Sequence, residues 1–256
     1  MSLATLSLSH LKDFYESAER AYFDSLPLEH FMEAGDHSHQ RKITFASFDV
    51  IREVRPEIQL FSEMLVQYPS GIQGSRPRQV VPDNFVTVYH EPLEVDGSFN
   101  TPLQPVGPFM VMEYVSRHTE RKDYVDNHSK YERELKVPYY LLFYPHNQQL
   151  SVYRMVDDRY LAVKPNDLGR LEIPELELEV AVLDHWVRYW FRGTLVPLTG
   201  ELLKSLNLTT NQLRAAKDQL EAQQEQLNVE RQARADIEAE LARMRIELDR
   251  LRGEQS

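Results

Sequence analysis

Two carboxylates stand at positions where a β-sheet could bring them together. Glu113 lies inside the run FMVMEYVS at residues 109–116, which places apolar side chains on both faces of a predicted strand. A carboxylate on a strand that is buried on both faces is costly unless it is paired, protonated or bound to a cation. Asp83 follows Pro82 at the start of the strand-like run NFVTVYH. If the two strands are neighbours, both carboxylates could hold one hard divalent cation.

Each carboxylate also has an ordinary structural explanation. Glu113 could form an ion pair with a neighbouring Arg or Lys, or its strand could end in solvent. Asp83 taken alone is typical of a loop carboxylate. The connecting segment 93–108 is rich in Gly and Pro and is consistent with a hairpin connection between the two strands. The metal-site hypothesis therefore depends on whether those strands are adjacent.

The elements that would position these residues predict a mixed α/β fold. Helical spacing of apolar residues predicts helices over residues 6–31, interrupted by Pro27, and over 40–54 and 123–135. Runs rich in β-branched and aromatic residues predict strands at 58–68, 84–90, 109–116, 137–144, 150–156, 159–165 and 178–183. The core order is therefore a helix, three strands, a helix and a strand, with further strands appended.

The chain changes character at Leu206, where Gln, Glu, Ala, Arg and Leu become dominant. Leucine occupies every seventh position from 206 to 248 except for Arg234, and the fourth position of each heptad becomes apolar from Ile237 onward. This pattern predicts a coiled coil over residues 206–256 that forms a homodimer. The alternative is one solvated helix that packs on its own domain. The predicted globular domain covers residues 1–205, with its core at about 31–200.

Composition limits the chemistry that the chain can perform. With 256 residues, 42% of them hydrophobic, it is long enough for one globular domain and an appendage. No run approaches the ~18 apolar residues of a membrane helix and no signal-peptide pattern precedes residue 10, so we expect a cytoplasmic protein without a membrane partner. The absence of cysteine excludes thiolate metal sites and cysteine nucleophiles. A net charge of −11 disfavours a broad electrostatic grip on nucleic acid, but it allows a carboxylate-bound Mg²⁺.

Four sequence pieces together resemble a known family. They are V-P-D at 81–83, V-M-E-Y-V-S at 111–116, a charged helix containing Lys130, and V-P-Y-Y-L-L-F at 137–143. This series resembles the bacterial Uma-type putative restriction endonucleases of the PD-(D/E)XK nuclease superfamily, and the helical tail is similar to tails of some members. The resemblance implies a restriction-endonuclease-like core, a mixed sheet flanked by helices, followed by a long C-terminal helix.

The resemblance also implies roles for individual residues. Carried over position by position, it makes Asp83 and Glu113 the ligands of Mg²⁺, with Mn²⁺ as a possible substitute. The superfamily lysine usually lies two residues after the Glu, where this chain has Val115. Related members place the lysine on the next helix, which implies Lys130, with Lys122 as the alternative. The usual family interval from the Glu ends near residue 127, so a slip of a few residues is needed to reach Lys130.

Two functions follow from these observations. The first is a metal-dependent endonuclease that hydrolyses phosphodiester bonds in DNA, in which Lys130 orients or helps to deprotonate the attacking water. A dimer would suit the cleavage of two strands. The second is a non-catalytic protein that retains a nuclease fold and assembles through its coiled coil. The empty lysine position at Val115 and the acidic charge favour this alternative.

Overall fold

The computed structural model describes residues 7–26, 35–72, 75–115 and 126–253, with the side chains of the last segment described as far as residue 246. The chain divides into two compact units, Met1–Leu198 and Thr199–Ser256. In its described residues the first unit has two α-helices, α1 (Leu8–Ser25) and α2 (Gly35–Arg52), and its strands cluster into three sheets. The second unit contains one helix, α3 (Thr199–Gly253).

The described strands are β1 (Ile58–Ser62), β2 (Val66–Tyr68), β3 (Arg78–Val80), β4 (Asn84–Val88), β5 (Phe99–Asn100), β6 (Met110–Tyr114), β7 (Tyr139–Tyr144), β8 (Gln149–Val156), β9 (Arg159–Ala162), β10 (Leu171–Ile173), β11 (Leu178–Leu183), β12 (Trp186–Phe191) and β13 (Thr194–Leu195). Short helical turns occupy Thr101–Leu103, Lys130–Glu134 and Pro174–Leu176. Together these elements form the mixed α/β fold that the resemblance implies.

The largest sheet has the strand order β1-β4-β6-β7-β8-β9 and is mixed. Only its central pair, β6 and β7, runs parallel, as a crossover connection requires, while the other neighbours are antiparallel. The strands at 84–90 and 109–116 are adjacent, as the metal-site hypothesis requires, since β4 pairs with β6. The connection between them is longer than a plain hairpin, because it contains β5, which pairs with β2 in a separate three-stranded sheet.

Strand β6 is buried on both faces, as its sequence predicted. On one face, Met112 belongs to an apolar cluster with Phe48 of α2 and Tyr189 of β12. On the other face, Val111 belongs to a second cluster that includes Phe99 and Tyr131. Each large apolar side chain buried in this way contributes about 1.5–3 kcal/mol. The sheet centre is therefore a dry environment in which any charged group needs partners.

The third sheet, β10-β11-β12-β13, extends beyond the strands that the sequence predicts. A last strand was predicted at 178–183, whereas the structure continues through β12 and β13. The turn into β12 has positive φ at Asp184 (51°) and His185 (73°), a conformation that matches the twist of a two-residue hairpin. No Asn-Gly or Asp-Gly pair marks this turn in the sequence, so the hairpin was missed.

The predicted helix at 123–135 takes an unusual form in its described part. Residues 126–134 are helical, and Lys130–Glu134 is a π-helical turn in which Leu135 N–H donates to the carbonyl of Lys130 at 2.9 Å. Such i→i+5 turns are rare and frequently occur at functional sites. Residues 123–125 of the prediction lie outside the described residues.

Helix α3 is 55 residues long and spans about 80 Å at 1.5 Å per residue. Its start at Thr199 precedes the change of composition at Leu206. Large apolar side chains on this helix are exposed, among them Leu213 (70%), Leu220 (55%) and Leu227 (53%). Among the described residues, no helix has the length and apolar character that a membrane span requires.

Candidate active site

The structure brings Asp83 and Glu113 together across the β4–β6 pair. Asn84 of β4 lies opposite Met112 of β6, and one further step of the antiparallel register sets Asp83 against Glu113. The backbone N–H of Asp83 donates to Glu113 Oε2 at 3.2 Å, and the N–H of Tyr114 donates to Asp83 Oδ2 at 2.6 Å. Two carboxylates that are 30 residues apart in the chain therefore share one hydrogen-bonded cluster.

Glu113 is only 4% exposed, and its burial is offset by hydrogen bonds. Its Oε1 accepts from the hydroxyl of Tyr131 at 2.7 Å and from Nδ2 of Asn127 at 3.2 Å. With the Asp83 N–H on Oε2, three donors surround the carboxylate. Donors that favour the charged form make an ionised carboxylate tolerable in a dry sheet centre.

The helical segment after β6 supplies two of these donors from one face. Asn127 and Tyr131 are four residues apart and both are buried. Burial raises the pKa of the Tyr131 phenol well above its ordinary value, and the nearby charge of Glu113 raises it further. Tyr131 therefore remains a neutral donor at any physiological pH.

A third charged group, Arg41 of α2, lies beside this pair. Its Nη2 is 2.7 Å from Glu63 Oε1 and 3.9 Å from Asp83 Oδ1, and its side chain is 13% exposed. No sequence pattern singles out Arg41 or Glu63 as a site residue. The only signal available was that Arg41 lies on an amphipathic helix, one turn before the buried Thr44. Tertiary packing determines which strands α2 contacts, and the helix pattern does not reveal it.

A buried polar network fixes the helix that carries Arg41. The hydroxyl of Thr44 lies 2.7 Å from the Tyr114 hydroxyl and 2.9 Å from that of Tyr189. Tyr114 in turn donates to Asn84 Oδ1 at 2.7 Å. These contacts link α2 to β4, β6 and β12, so the same network positions the guanidinium and both carboxylates.

The predicted lysines have different outcomes. Lys130 is the first residue of the π-helical turn, directly before Tyr131, and its side chain is half-buried. The residue at the usual family interval from Glu113 is Asn127, which contacts Glu113. The role of Lys130 stays a prediction. Lys122 lies outside the described residues.

The donor chemistry of the cluster fits Mg²⁺. Asp83 and Glu113 supply hard carboxylate oxygens, and Mg²⁺ is usually bound through one or two carboxylates, several waters and a substrate phosphate. In the described part of the chain, no group of three or more His, Asp or Glu residues is arranged to hold a metal ion. Two carboxylates would suit a partly hydrated magnesium ion, whose other ligands would be waters and a substrate phosphate.

A family of known proteins matches much of the globular unit. A family model described as "Uma2: Putative restriction endonuclease" matches residues 28–184. Among solved structures, the chain is similar to a putative nuclease belonging to DUF820 from Anabaena variabilis ATCC 29413, with 18% identity and a TM-score of 0.45. That match covers 60% of this chain and 82% of the other. No curated protein matches the sequence.

Proposed function

Because the chain belongs to the Uma2 family of putative restriction endonucleases, we propose that it hydrolyses phosphodiester bonds in DNA at a Mg²⁺ site formed by Asp83 and Glu113. Mn²⁺ would substitute for Mg²⁺. The observation that carries the proposal is the register of β4 and β6, which sets Asp83 opposite Glu113 and lets the Asp83 backbone N–H donate to Glu113 Oε2. We also propose that the protein is cytoplasmic, as expected from the sequence.

The side chains around the site have separable tasks in this reaction. When bound, Mg²⁺ supplies charge neutralisation at the phosphodiester and lowers the pKa of a coordinated water. Tyr131 and Asn127 occupy Oε1 of Glu113, which fixes the carboxylate and directs Oε2 toward Asp83. The N–H of Tyr114 fixes Oδ2 of Asp83 in the same way. Lys130 would orient the attacking water or help to remove its proton.

Plasmid nicking with purified protein tests the proposal. The wild type is expected to nick supercoiled DNA in Mg²⁺ or Mn²⁺, and Asp83→Ala to lower the rate by roughly 10²-fold or more, since a metal ligand is lost. Asp49→Ala is the matched control, because Asp49 is an exposed aspartate on α2. Equal nicking by the wild type and Asp83→Ala would show that the activity comes from a contaminant and would refute the proposal.

The structure adds one observation in favour of the non-catalytic alternative. Asn127, rather than a lysine, lies at the usual family interval and donates to Glu113. Calorimetric titration with Mg²⁺ separates the two functions, because a scaffold need not bind metal in an Asp83-dependent manner. Metal binding that Asp83→Ala abolishes supports the nuclease. Absence of both binding and nicking in the wild type supports the scaffold.

The proposal includes a homodimer formed through α3. Leu213, Leu220 and Leu227 lie at one heptad position and are each more than half exposed. Pairing of two such helices would bury these side chains, each gaining about 1.5–3 kcal/mol. A dimer would bring two nuclease units to one duplex. Removal of residues 206–256 is expected to convert the dimer to a monomer, measured as solution mass.

A further inference from the structure

We propose that Arg41 forms an anion subsite of the nuclease centre and receives a non-bridging oxygen of the scissile phosphodiester. The inference rests on the proposed function and extends it to a residue outside the two-carboxylate motif. Arg41 is a permanently charged group, and its Nη2 is 3.9 Å from Oδ1 of Asp83. That oxygen is the one that does not accept the Tyr114 N–H.

The local backbone holds a partner for this guanidinium in place. Glu63 follows β1 and has a φ of 47°, in the left-handed region that non-glycine residues rarely occupy. Its N–H donates to the carbonyl of Asp83 at 3.2 Å, and Ser62 Oγ donates to the same carbonyl at 3.0 Å. The turn that carries Glu63 is thereby tied to the turn that carries Asp83.

The hydrogen bonds between these two turns set the position of the Arg41 guanidinium relative to Asp83. Glu63 Oε1 lies 2.7 Å from Arg41 Nη2, which is a closer pairing than that with Asp83. Arg41 also extends from α2 only one turn before Thr44, whose hydroxyl joins the buried network. Because Glu63 and α2 both hold the guanidinium, it is preorganised to receive a phosphate oxygen along one edge of its planar fork.

Charge explains why the centre needs such a residue. Asp83 and Glu113 attract a divalent cation, but they repel the phosphodiester that must approach it. A nearby guanidinium offsets that repulsion and offers donors that match phosphate geometry. The same positive charge opposes the cation. Arg41 should therefore strengthen binding of the phosphodiester and weaken binding of the free metal ion.

These opposite signs separate an anion subsite from a merely structural role. If Arg41 only kept Asp83 in place, its loss would weaken the binding of both ligands. If it forms the subsite, Arg41→Ala should bind Mn²⁺ roughly threefold or more tightly than the wild type. The same variant should bind DNA roughly tenfold more weakly, because a charge-assisted contact is lost.

The experiment uses the full-length protein with two probes. Calorimetry measures Mn²⁺ alone, and fluorescence anisotropy measures a fluorescein-labelled DNA duplex in Ca²⁺, with gels to verify that the duplex stays intact. Arg41→Lys keeps the charge and loses the fork, so its Mn²⁺ affinity should stay near the wild-type value while its DNA affinity is intermediate. Lys42→Ala is the matched control, since Lys42 is the next residue on α2 and is exposed. Thermal melting verifies that each variant is folded.

Opposite shifts for Arg41→Ala, with Lys42→Ala unchanged, support the inference. Parallel losses, no change, or the same change in both variants overturn it and leave the proposed function standing, provided that the wild type binds both probes. A wild type that binds neither Mn²⁺ nor the duplex refutes the proposed function, and the Arg41 subsite falls with it. The two failures are therefore distinguishable.

Discussion

The globular unit and helix α3 depart from the usual burial rules in opposite directions. In the globular unit a carboxylate, Glu113, is 4% exposed at the centre of a sheet. On α3, leucines at successive heptad positions are more than half exposed. Folded proteins usually bury apolar groups and solvate charges, and under the proposed function each departure marks the binding site of a ligand, a small cation at Glu113 and a second helix on α3.

The two regions differ in whether they are complete without that ligand. Glu113 receives hydrogen bonds from Tyr131, Asn127 and the Asp83 backbone, so its burial is offset within the unit. The exposed leucines of α3 would instead be buried by a second copy of the chain. Loss of its ligand should therefore leave the globular unit folded, whereas α3 should lose stability when its partner is removed.

Glu113→Gln is the largest expected effect and tests the first half of the comparison. The amide oxygen can keep the donors of Tyr131 and Asn127, whereas the amide nitrogen faces the Asp83 N–H. The Asp83 N–H would lose its acceptor, so the free energy of unfolding should fall by about 1–3 kcal/mol, while nicking should fall by roughly 10³-fold because a metal ligand is lost. Melting temperature and plasmid nicking are the measurements.

The control for this variant is Glu53→Gln, an exposed glutamate just after α2, which should change neither quantity. A different outcome would break the comparison. If Glu113→Gln lowers the melting temperature strongly and its residual nicking follows the fraction folded, the buried carboxylate serves the fold and not a ligand.

Leu227→Glu tests the second half of the comparison on α3. Each dimer would lose two buried leucines and gain two charges in the helix interface, so the dissociation constant should rise by at least about 100-fold. Val229→Glu is the matched control, because Val229 is 66% exposed but lies outside the predicted a and d positions. Sedimentation velocity over a range of concentrations measures the dissociation constant. Equal effects of the two substitutions would contradict the coiled-coil seam.

The heptad pattern and the central sheet were accessible from the sequence for the same reason. Both depend on local patterns, which are a short continuous apolar run in β6 and a period of seven in α3. The pairing of Asp83 with Glu113 could be stated as a condition, because only the adjacency of two strands was needed. Elements with strong local patterns are therefore the ones that the sequence predicts.

Other parts of the site could not be predicted, because they depend on distances between elements. Arg41, Asn127 and Tyr131 reach the carboxylates from two helical segments whose placement is decided by packing. Strand β12 was missed because its turn uses positive φ at Asp184 and His185 in place of glycine. Both failures have one physical origin, since tertiary contacts overrode or completed a weak local signal.

The smallest expected effect concerns His128, next to Asn127. Its ring lies among those of Tyr140, Tyr153 and Tyr160, with centroid distances of 6.0, 5.5 and 5.2 Å. Burial lowers the pKa of this imidazole below its usual value of about 6.5. As pH falls through 6.5, the unfolded chain takes up the proton first, so the folded state loses stability until the folded pKa is passed.

His128→Gln should remove this pH dependence. That result would show that Glu113 is not the only polar group whose burial matters in the described part of the globular unit. Between pH 8 and pH 5.5 the melting temperature of the wild type should fall relative to the variant, by an amount on the order of a degree. The carboxylates Glu57 and Glu177, whose pKa values are lowered by hydrogen bonds from Arg55 and Arg192 respectively, lose their contribution only below pH 4.5. The chosen window therefore isolates histidine. His90→Gln, at an exposed histidine, is the control, and an equal shift in both variants would contradict the assignment to His128.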